Sequence, residues 1–230
     1  MAYNPTVLSI VSTPIGNLRD ITLRALDTLQ SCQAIVCEDT RVTGQLLSLL
    51  NLPKKELISF HGHSDAGKAA WILGRLEKGE HLVLVSDAGT PGISDPGYAI
   101  VSQARARGIS MEVIPGASAF LAALSLSGLP IHQFTYLGFL PIKKGRKTLM
   151  ESWKKEERTV VFYESPHRIL KTLTEIAETL KENPDRQVVI ARELTKMHEE
   201  IIATNVDLLQ ERLKTMTVKG EFVVVIAPAC

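Results

Sequence analysis

Short apolar runs rich in β-branched residues alternate with longer helical patterns through most of this 230-residue chain. Buried parallel strands have such unbroken apolar sequences because helices cover both faces of their sheet. The alternation therefore predicts an α/β protein whose first half is a mainly parallel sheet. The strand-like runs of that half are Leu8–Ser12, Ala34–Cys37, Leu57–Phe60, Leu82–Ser86 and Met111–Ile114. Helices are expected from about Thr22, Thr43, Asp65, Pro96 and Ser118.

The second half predicts a mixed sheet. Only a short link separates the run ending near Ala191 from the run 199–203, and a connection of that length favours an antiparallel pair. A stretch with Gly128 and Pro130 suits a boundary, so we expect two α/β domains, residues 1–125 and 126–230. The expected strands are 134–139, 159–163, 187–191, 199–203 and 221–226, and the expected helices are 166–181 and 206–213.

Composition limits the cellular compartments and the binding partners that the chain can have. No apolar run approaches the ~18 residues of a membrane span, and the N-terminus has no secretory pattern. The three cysteines form no CxxC pair, which is typical of the reducing cytoplasm, where we expect the protein. The formal net charge is +1, whereas proteins that bind nucleic acid by broad phosphate neutralisation are usually strongly basic.

Three loops that follow predicted strands are rich in Gly, Pro, Ser, Thr and Asp. They are residues 12–17, 87–97 and 115–119. In open α/β sheets, ligands bind beyond the carboxyl ends of the strands, where these loops lie. Three Gly and two Pro in the middle loop let the backbone approach a ligand closely, and Asp87 and Asp95 suit a polar zwitterion or nucleoside. Capping of a following helix by Ser94 or Asp95 is the purely structural alternative.

Standard nucleotide motifs fit poorly. Only Gly16 is available for a GxGxxG motif after the first strand. Residues 62–68 nearly form a phosphate-binding loop, but Ala69 stands where a hydroxyl would bind Mg²⁺. An NTPase built on this segment stays open as an alternative.

Several motifs together resemble the tetrapyrrole-methylase superfamily of S-adenosylmethionine enzymes, over essentially the whole chain. They are residues 12–18, 38–41, 86–97 and 115–119. Within that superfamily, residues 162–168 (FYESPHR) and 192–200 (RELTKMHEE) resemble the branch of ribosomal RNA small subunit methyltransferases I. Members of this branch generally continue into a small helical domain that helps to grip RNA. This sequence stops at Cys230, so we expect it to hold its cofactor better than RNA.

The resemblance implies S-adenosylmethionine in a cleft between the two domains, usually in a homodimer. It also implies 2′-O-methylation of a cytidine in the decoding region of 16S ribosomal RNA, with that RNA or the small subunit as partner. The implied cofactor-binding residues are Pro14, Gly16, Asp87, Ala88, Gly89, Thr90, Ile93, Ser94, Ser118 and Ala119.

Methyl transfer to a ribose hydroxyl requires alignment, helped by a base or by a cation that favours the alkoxide. The polar groups expected at strand ends are Asp39, Glu164, Arg168 and Lys196, and we take them as a set of catalytic candidates. Each also has a structural alternative: Glu164 as a helix cap, Asp39 as a partner of Arg41, the two cations as phosphate contacts. No metal site is predicted, because His61 and His63 lack a third ligand.

A basic segment offers a local RNA contact despite the neutral average. Between Lys143 and Arg158 there are seven basic residues against three Glu, so the net charge of this segment is +4. Such clusters neutralise phosphates, although a solvated helix surface has the same composition. Only Trp153 lies inside the segment as an aromatic residue. The predicted RNA-binding residues are Lys143, Lys144, Arg146 and Lys147.

Two further hypotheses remain beside RNA methylation and the NTPase. One is a methylase of a tetrapyrrole or another small molecule within the same superfamily. The other is a ribosome-associated binding module that has kept the fold without turnover.

Overall fold

A computed structural model describes residues 7–61, 66–93 and 97–229. They form two compact units, of which the first ends at Ser118 and the second begins at Ala119. No helix among these residues is both long and apolar enough to cross a membrane.

The first unit is a fully parallel sheet with helices in the connections. Its strands are β1 (Val7–Val11), β2 (Ala34–Cys37), β3 (Glu56–Ser59), β4 (Leu82–Leu84) and β5 (Ser110–Ile114). Its helices are α1 (Leu23–Ser31), α2 (Thr40–Leu49), α3 (Ala66–Glu77) and α4 (Tyr98–Ala106). The strand order is β3-β2-β4-β1-β5, with every neighbouring pair parallel. The prediction of a parallel sheet in the first half is confirmed.

Two apolar clusters cover the two faces of this sheet. On one face, Leu29 of α1 and Leu47 of α2 pack with Val83. On the other, Ile72 of α3 and Ile100 of α4 pack with Leu84. Adjacent residues of one strand therefore enter opposite cores, which is why the strands read as continuous apolar runs.

The second unit is built on a mixed sheet, as predicted. Its strands are β6 (Phe134–Phe139), β7 (Thr159–Glu164), β8 (Gln187–Arg192), β9 (Glu200–Asn205) and β10 (Phe222–Ile226). Its helices are α5 (Ala119–Ser127), α6 (Arg146–Ser152), α7 (Ile169–Thr179) and α8 (Leu209–Arg212). The order is β6-β7-β10-β8-β9, with β6 parallel to β7 and β10 antiparallel to both neighbours. The predicted antiparallel pairing of β8 and β9 is confirmed.

Helices cover both faces of the second sheet as well. Helices α6, α7 and α8 pack on the face that carries Phe162 and Val224. Helix α5 packs against β7 and β10 and therefore belongs to the second unit. The predicted boundary at 125/126 placed most of this helix in the first domain. Its contacts with β7 and β10, which are far away in sequence, place it in the second unit instead.

Two predicted helices are shorter in the structure. The predicted helix 166–181 extends only over Ile169–Thr179, because Ser165 to Arg168 form a hydrogen-bonded turn first. The predicted helix 206–213 is a single turn, Leu209–Arg212. Helix ends are where local sequence signals are weakest.

Candidate active site

The loops after β1, β4 and β5 lie at one edge of the first sheet, because these three strands are adjacent and parallel. We call residues 12–17, 87–93 and 115–118 the rim loops. They contain the predicted cofactor residues of the first unit, apart from Ser94. That residue and residues 62–65 of the possible phosphate-binding loop lie outside the described part of the chain.

Hydrogen bonds tie the rim loops to one another. Thr13 N–H donates to the Gly89 carbonyl at 2.8 Å, and Gly89 N–H donates back to the Thr13 carbonyl at 3.1 Å. Ser12 Oγ lies 2.9 Å from Thr90 Oγ1, which in turn donates to the carbonyl of Ala117 at 3.2 Å. All three loops therefore form one preorganised surface.

Two glycines in the rim loops have positions that a side chain would disturb. Gly89 has a φ of +77°, and a Cβ there would lie 3.4 Å from Ile15 Cγ2. A Cβ on Gly116 would lie only 2.9 Å from Ser12 Cβ. These residues allow backbone to line the rim closely, as a site for a polar nucleoside ligand requires.

Three carboxyl groups gather where β2 and β4 end. Asp39 caps helix α2, and its backbone N–H donates to Asp87 Oδ1 at 3.1 Å. Hydrogen bonds from Arg41 lower the pKa of Asp39 to about 2, so Asp39 stays ionised. Burial, with Asp87 nearby, raises the pKa of Glu38. Sequence reasoning did not select Glu38, although it lies inside the same motif and is the better proton acceptor of the two at neutral pH.

The motifs of the second unit also meet at one sheet edge. Strands β6, β7 and β8 run in the same direction, and Phe222 pairs with both Glu164 and Arg192. Glu164, Arg168 and the 193–199 loop therefore lie at one end of the sheet, which we call the second edge. With neighbouring strands about 4.8 Å apart, Glu164 and Arg192 have Cα atoms about 10 Å apart.

Glu164 is fully buried and fully hydrogen-bonded. Its Oε1 accepts from Ser165 N–H at 2.9 Å and pairs with Arg168 Nε at 3.0 Å. Its Oε2 accepts from Thr172 Oγ1 at 2.7 Å and from Arg168 at 3.1 Å. A carboxylate held in this way is a structural anchor, and it is poorly placed to take a proton from a substrate.

Arg146 belongs to the same network, although the sequence grouped it with the RNA-binding lysines. It is 7% exposed, donates to Thr172 Oγ1 at 2.7 Å and to Glu175 Oε2 at 2.8 Å, and also donates to the Pro141 carbonyl. A guanidinium occupied inside the unit is less available to a phosphate than an exposed side chain, so the surroundings of Arg146 favour a structural role. In contrast, Lys143, Lys144 and Lys147 are exposed, and the ion pairs found among the described residues do not include them.

Two of the three remaining basic residues of the segment are paired, whereas Lys155 is exposed and outside the ion pairs found among the described residues. Lys154 pairs with Glu151 at 2.8 Å and Arg158 with Glu156 at 2.7 Å. Trp153 is buried and stacks on Phe162 with ring centroids 5.6 Å apart. Of the four exposed lysines of the segment outside those ion pairs, three therefore lie at its start, Lys143, Lys144 and Lys147, and Lys155 lies near its end.

Lys196 lies in a tightly held loop between β8 and β9. Its Nζ is 3.0 Å from Glu193 Oε1 and 2.8 Å from Glu221 Oε2. Burial lowers the pKa of Lys196, but the hydrogen bonds to Glu221 and Glu193 outweigh burial and raise it overall, so the amine stays charged. Glu193 and Thr195 have φ values of 49° and 64°, a conformation that is unusual for a β-branched residue and that clusters at functional sites.

The described residues contain no group of three His, Cys, Asp or Glu side chains that could hold a metal ion. Of the predicted pair of histidines, only His61 is described.

The tetrapyrrole (corrin/porphyrin) methylase family matches residues 7–210 of the chain. This chain belongs to that family. The resemblance stated from the motifs is confirmed, and so is the prediction that the chain is a methyltransferase.

Curated relatives of this tetrapyrrole methylase named ribosomal RNA small subunit methyltransferase I include those of Pasteurella multocida and Thermotoga maritima. That of Pasteurella multocida is 46% identical over 223 residues, which cover 96% of this chain and 78% of the relative. That of Thermotoga maritima is 44% identical over 220 residues, which cover 96% and 97%.

Solved structures of low identity confirm the fold of this methylase. Diphthine synthase aligns with a TM-score of 0.73 at 16% identity, over 96% of this chain and 90% of that one. Uroporphyrin-III C-methyltransferase of Thermus thermophilus, complexed with S-adenosylhomocysteine, aligns with a TM-score of 0.65 at 18% identity, over 97% of both chains.

Proposed function

We propose that this chain transfers a methyl group from S-adenosylmethionine to the 2′-hydroxyl of a cytidine in the decoding region of 16S ribosomal RNA. The observation that carries the proposal is similarity of at least 44% over nearly the whole chain to proteins named ribosomal RNA small subunit methyltransferase I. The substrate is then the RNA itself or the small ribosomal subunit, and the reaction takes place in the cytoplasm.

The second unit supports RNA over a tetrapyrrole as the methyl acceptor. Lys143, Lys144 and Lys147 expose three positive charges within five residues. Lysines in this arrangement neutralise neighbouring phosphates of a polynucleotide. We assign RNA contact to these three residues and leave out the buried Arg146.

S-adenosylmethionine supplies the methyl group and leaves as S-adenosylhomocysteine. The rim loops fit such a ligand, because Gly89 and Gly116 keep side chains away from the backbone that lines the rim. The proposed binding residues are those implied by the motifs: Pro14, Gly16, Asp87, Ala88, Gly89, Thr90, Ile93, Ser94, Ser118 and Ala119. A cleft between the two domains and a homodimer are parts of the same proposal.

The catalytic candidates divide by their surroundings. Lys196, kept charged by two carboxylates, suits stabilisation of a developing alkoxide. Asp39 stays ionised, while its neighbour Glu38 has a raised pKa that suits it to accept the hydroxyl proton. Glu164 and Arg168 position other groups, because their polar atoms are used within the unit.

The test is transfer of labelled methyl from S-adenosylmethionine to small ribosomal subunits that lack the modification. Label is expected in the ribose of one cytidine, located by nuclease mapping. Label in tetrapyrrole precursors but not in subunits would favour the hypothesis of a small-molecule methylase. Stabilisation by Mg·ATP but not by S-adenosylhomocysteine would favour the NTPase. Cofactor binding without transfer to any form of the subunit would favour a binding module.

A further inference from the structure

A row of aromatic rings runs along β6 and β7 in the second unit. Phe120 of α5 stacks on Tyr136 with centroids 4.4 Å apart, and Tyr136 meets Tyr163 edge-on at 5.7 Å. Phe139 forms one end of the row, with its ring centroid 5.6 Å from that of Tyr163. Phe134 forms the other end, with its ring centroid 6.1 Å from that of Phe120. The row therefore reaches the second edge at Phe139, which is 56% exposed.

A β-bulge turns Phe139 into this row. Tyr136 pairs with Val161 and Phe139 pairs with Tyr163, so three residue steps on β6 match two on β7. Gly138, with a φ of +60°, lies within the bulge. In a regular strand, Phe139 would share the face of Leu137, which packs against the core under α6 and α7. The bulge instead places a large aromatic side chain on the other face, where it stays exposed.

Two arginines fix the backbone directly after Phe139. Arg168 donates to the Leu140 carbonyl at 2.7 Å, and Arg146 donates to the Pro141 carbonyl at 3.1 Å. The buried Glu164 carboxylate holds Arg168 in turn. Phe139 is thus presented on a rigid segment, and a rigid segment loses little conformational entropy when it binds.

The same segment carries the free lysines. Lys143 and Lys144 follow Phe139 within five residues, which is at most about 18 Å of chain. An exposed aromatic face next to cations that neutralise phosphates is the arrangement by which proteins hold unpaired nucleotides. A purely apolar partner would gain nothing from the lysines.

We propose that Phe139 stacks on an unpaired base of the RNA substrate while Lys143 and Lys144 contact the adjoining phosphates. This inference rests on the proposed function and adds to it the mode of RNA recognition.

The experiment compares F139L, F139W and F134L with the unmodified protein. Phe134 lies at the opposite end of the same strand and is 37% exposed, so F134L removes a similar ring away from the second edge. The KM for small ribosomal subunits is measured at saturating S-adenosylmethionine. Stacking predicts that F139L raises this KM about tenfold, whereas F139W and F134L stay within about twofold.

Three results would overturn the inference. One is an unchanged KM in F139L while the unmodified protein is active. Another is weaker S-adenosylhomocysteine affinity in F139L by calorimetry, which would place the ring against the cofactor's adenine. The third is a change of oligomeric state in F139L, which would make Phe139 an interface residue.

A separate readout keeps this inference distinct from the proposed function. Fluorescence anisotropy of a labelled oligocytidine RNA reports binding without methyl transfer. If the unmodified protein binds this RNA but methylates no subunit, the proposed function fails. Weaker binding by F139L, with F134L unchanged, would still support stacking, and equal binding by all variants would refute it.

Discussion

Gly89 joins the second rim loop to the first through its hydrogen bonds with Thr13, and its own backbone is left-handed. Replacing it with valine adds strain of about 1–2 kcal/mol and places a branched side chain near Ile15 and the Ala117 carbonyl. We expect Gly89→Val to lose S-adenosylhomocysteine binding at least about tenfold in calorimetry while the fold is retained.

The control for this prediction is Gly79→Val. Gly79 also has a positive φ, +91°, but a Cβ there meets nothing within 4 Å, and it lies in the turn before β4. Both variants force a side chain into a left-handed backbone, but only Gly89 lies in a rim loop. If both bind the cofactor product equally well, the rim loops do not hold the ligand.

His81 links protonation to the stability of the first unit. It is 5% exposed, and its Nε2 lies 2.8 Å from Ser9 Oγ. The Ser9 hydroxyl in turn donates a hydrogen bond to Glu112 Oε1. Burial lowers the pKa of His81, against the opposing effect of Glu112. The folded protein therefore binds fewer protons than the unfolded chain just below pH 6.5, and the free energy of unfolding falls as pH drops through that range.

Urea unfolding at pH 7.5 and pH 5.5 tests this prediction. His81→Gln keeps an N–H donor for Ser9 but cannot titrate, so its free energy of unfolding is expected to fall less than that of the unmodified protein. His132→Gln, at an exposed position, serves as the control and is expected to keep the full pH dependence. An unaltered pH dependence in His81→Gln would show that other groups cause it.

At the scale of elements, Glu164 joins the end of β7 to helix α7 and to the start of α6. It contacts Thr172 and Arg168 directly, and Arg146 binds the same Thr172 hydroxyl. We expect Glu164→Gln to lower the free energy of unfolding by about 3–5 kcal/mol, because two arginines lose their buried counter-charge. Glu156→Gln, which affects the more exposed pair with Arg158, is expected to cost less than about 1 kcal/mol in the same urea titration. Equal costs would show that burial does not set the strength of this network.

The inner strands β2 and β4 of the first unit could be predicted because they are apolar on both faces and are followed by polar residues. Glu164 could not be assigned from sequence, because its burial depends on Thr172 in the next helix and on the basic residues around it. Arg146 looked like its lysine neighbours for the same reason. The exposure of Phe139 could not be predicted, because a glycine inside a strand indicates a bulge only weakly. The bulge determines on which face of the sheet the Phe139 ring lies.

At the scale of the whole molecule, the net charge is only +1, so RNA binding depends on where the positive charges lie and not on their total. Reversing Lys143, Lys144 and Lys147 to glutamate changes the formal net charge from +1 to −5. Reversing Lys54, Lys78 and Lys214, which are also exposed, gives the same net charge at other places on the surface. The two triple variants therefore share any long-range effect of total charge and differ only in local phosphate contacts.

We expect the first triple variant to bind the substrate RNA at least about tenfold more weakly near physiological salt, with unchanged S-adenosylhomocysteine affinity. Losing three contacts to single-stranded RNA should also reduce the slope of log affinity against log salt by about 2. The second variant should keep that slope, since its lysines neutralise no phosphate. A parallel loss in both variants, with equal slopes, would mean that total charge governs association and that residues 143–147 are ordinary solvated surface.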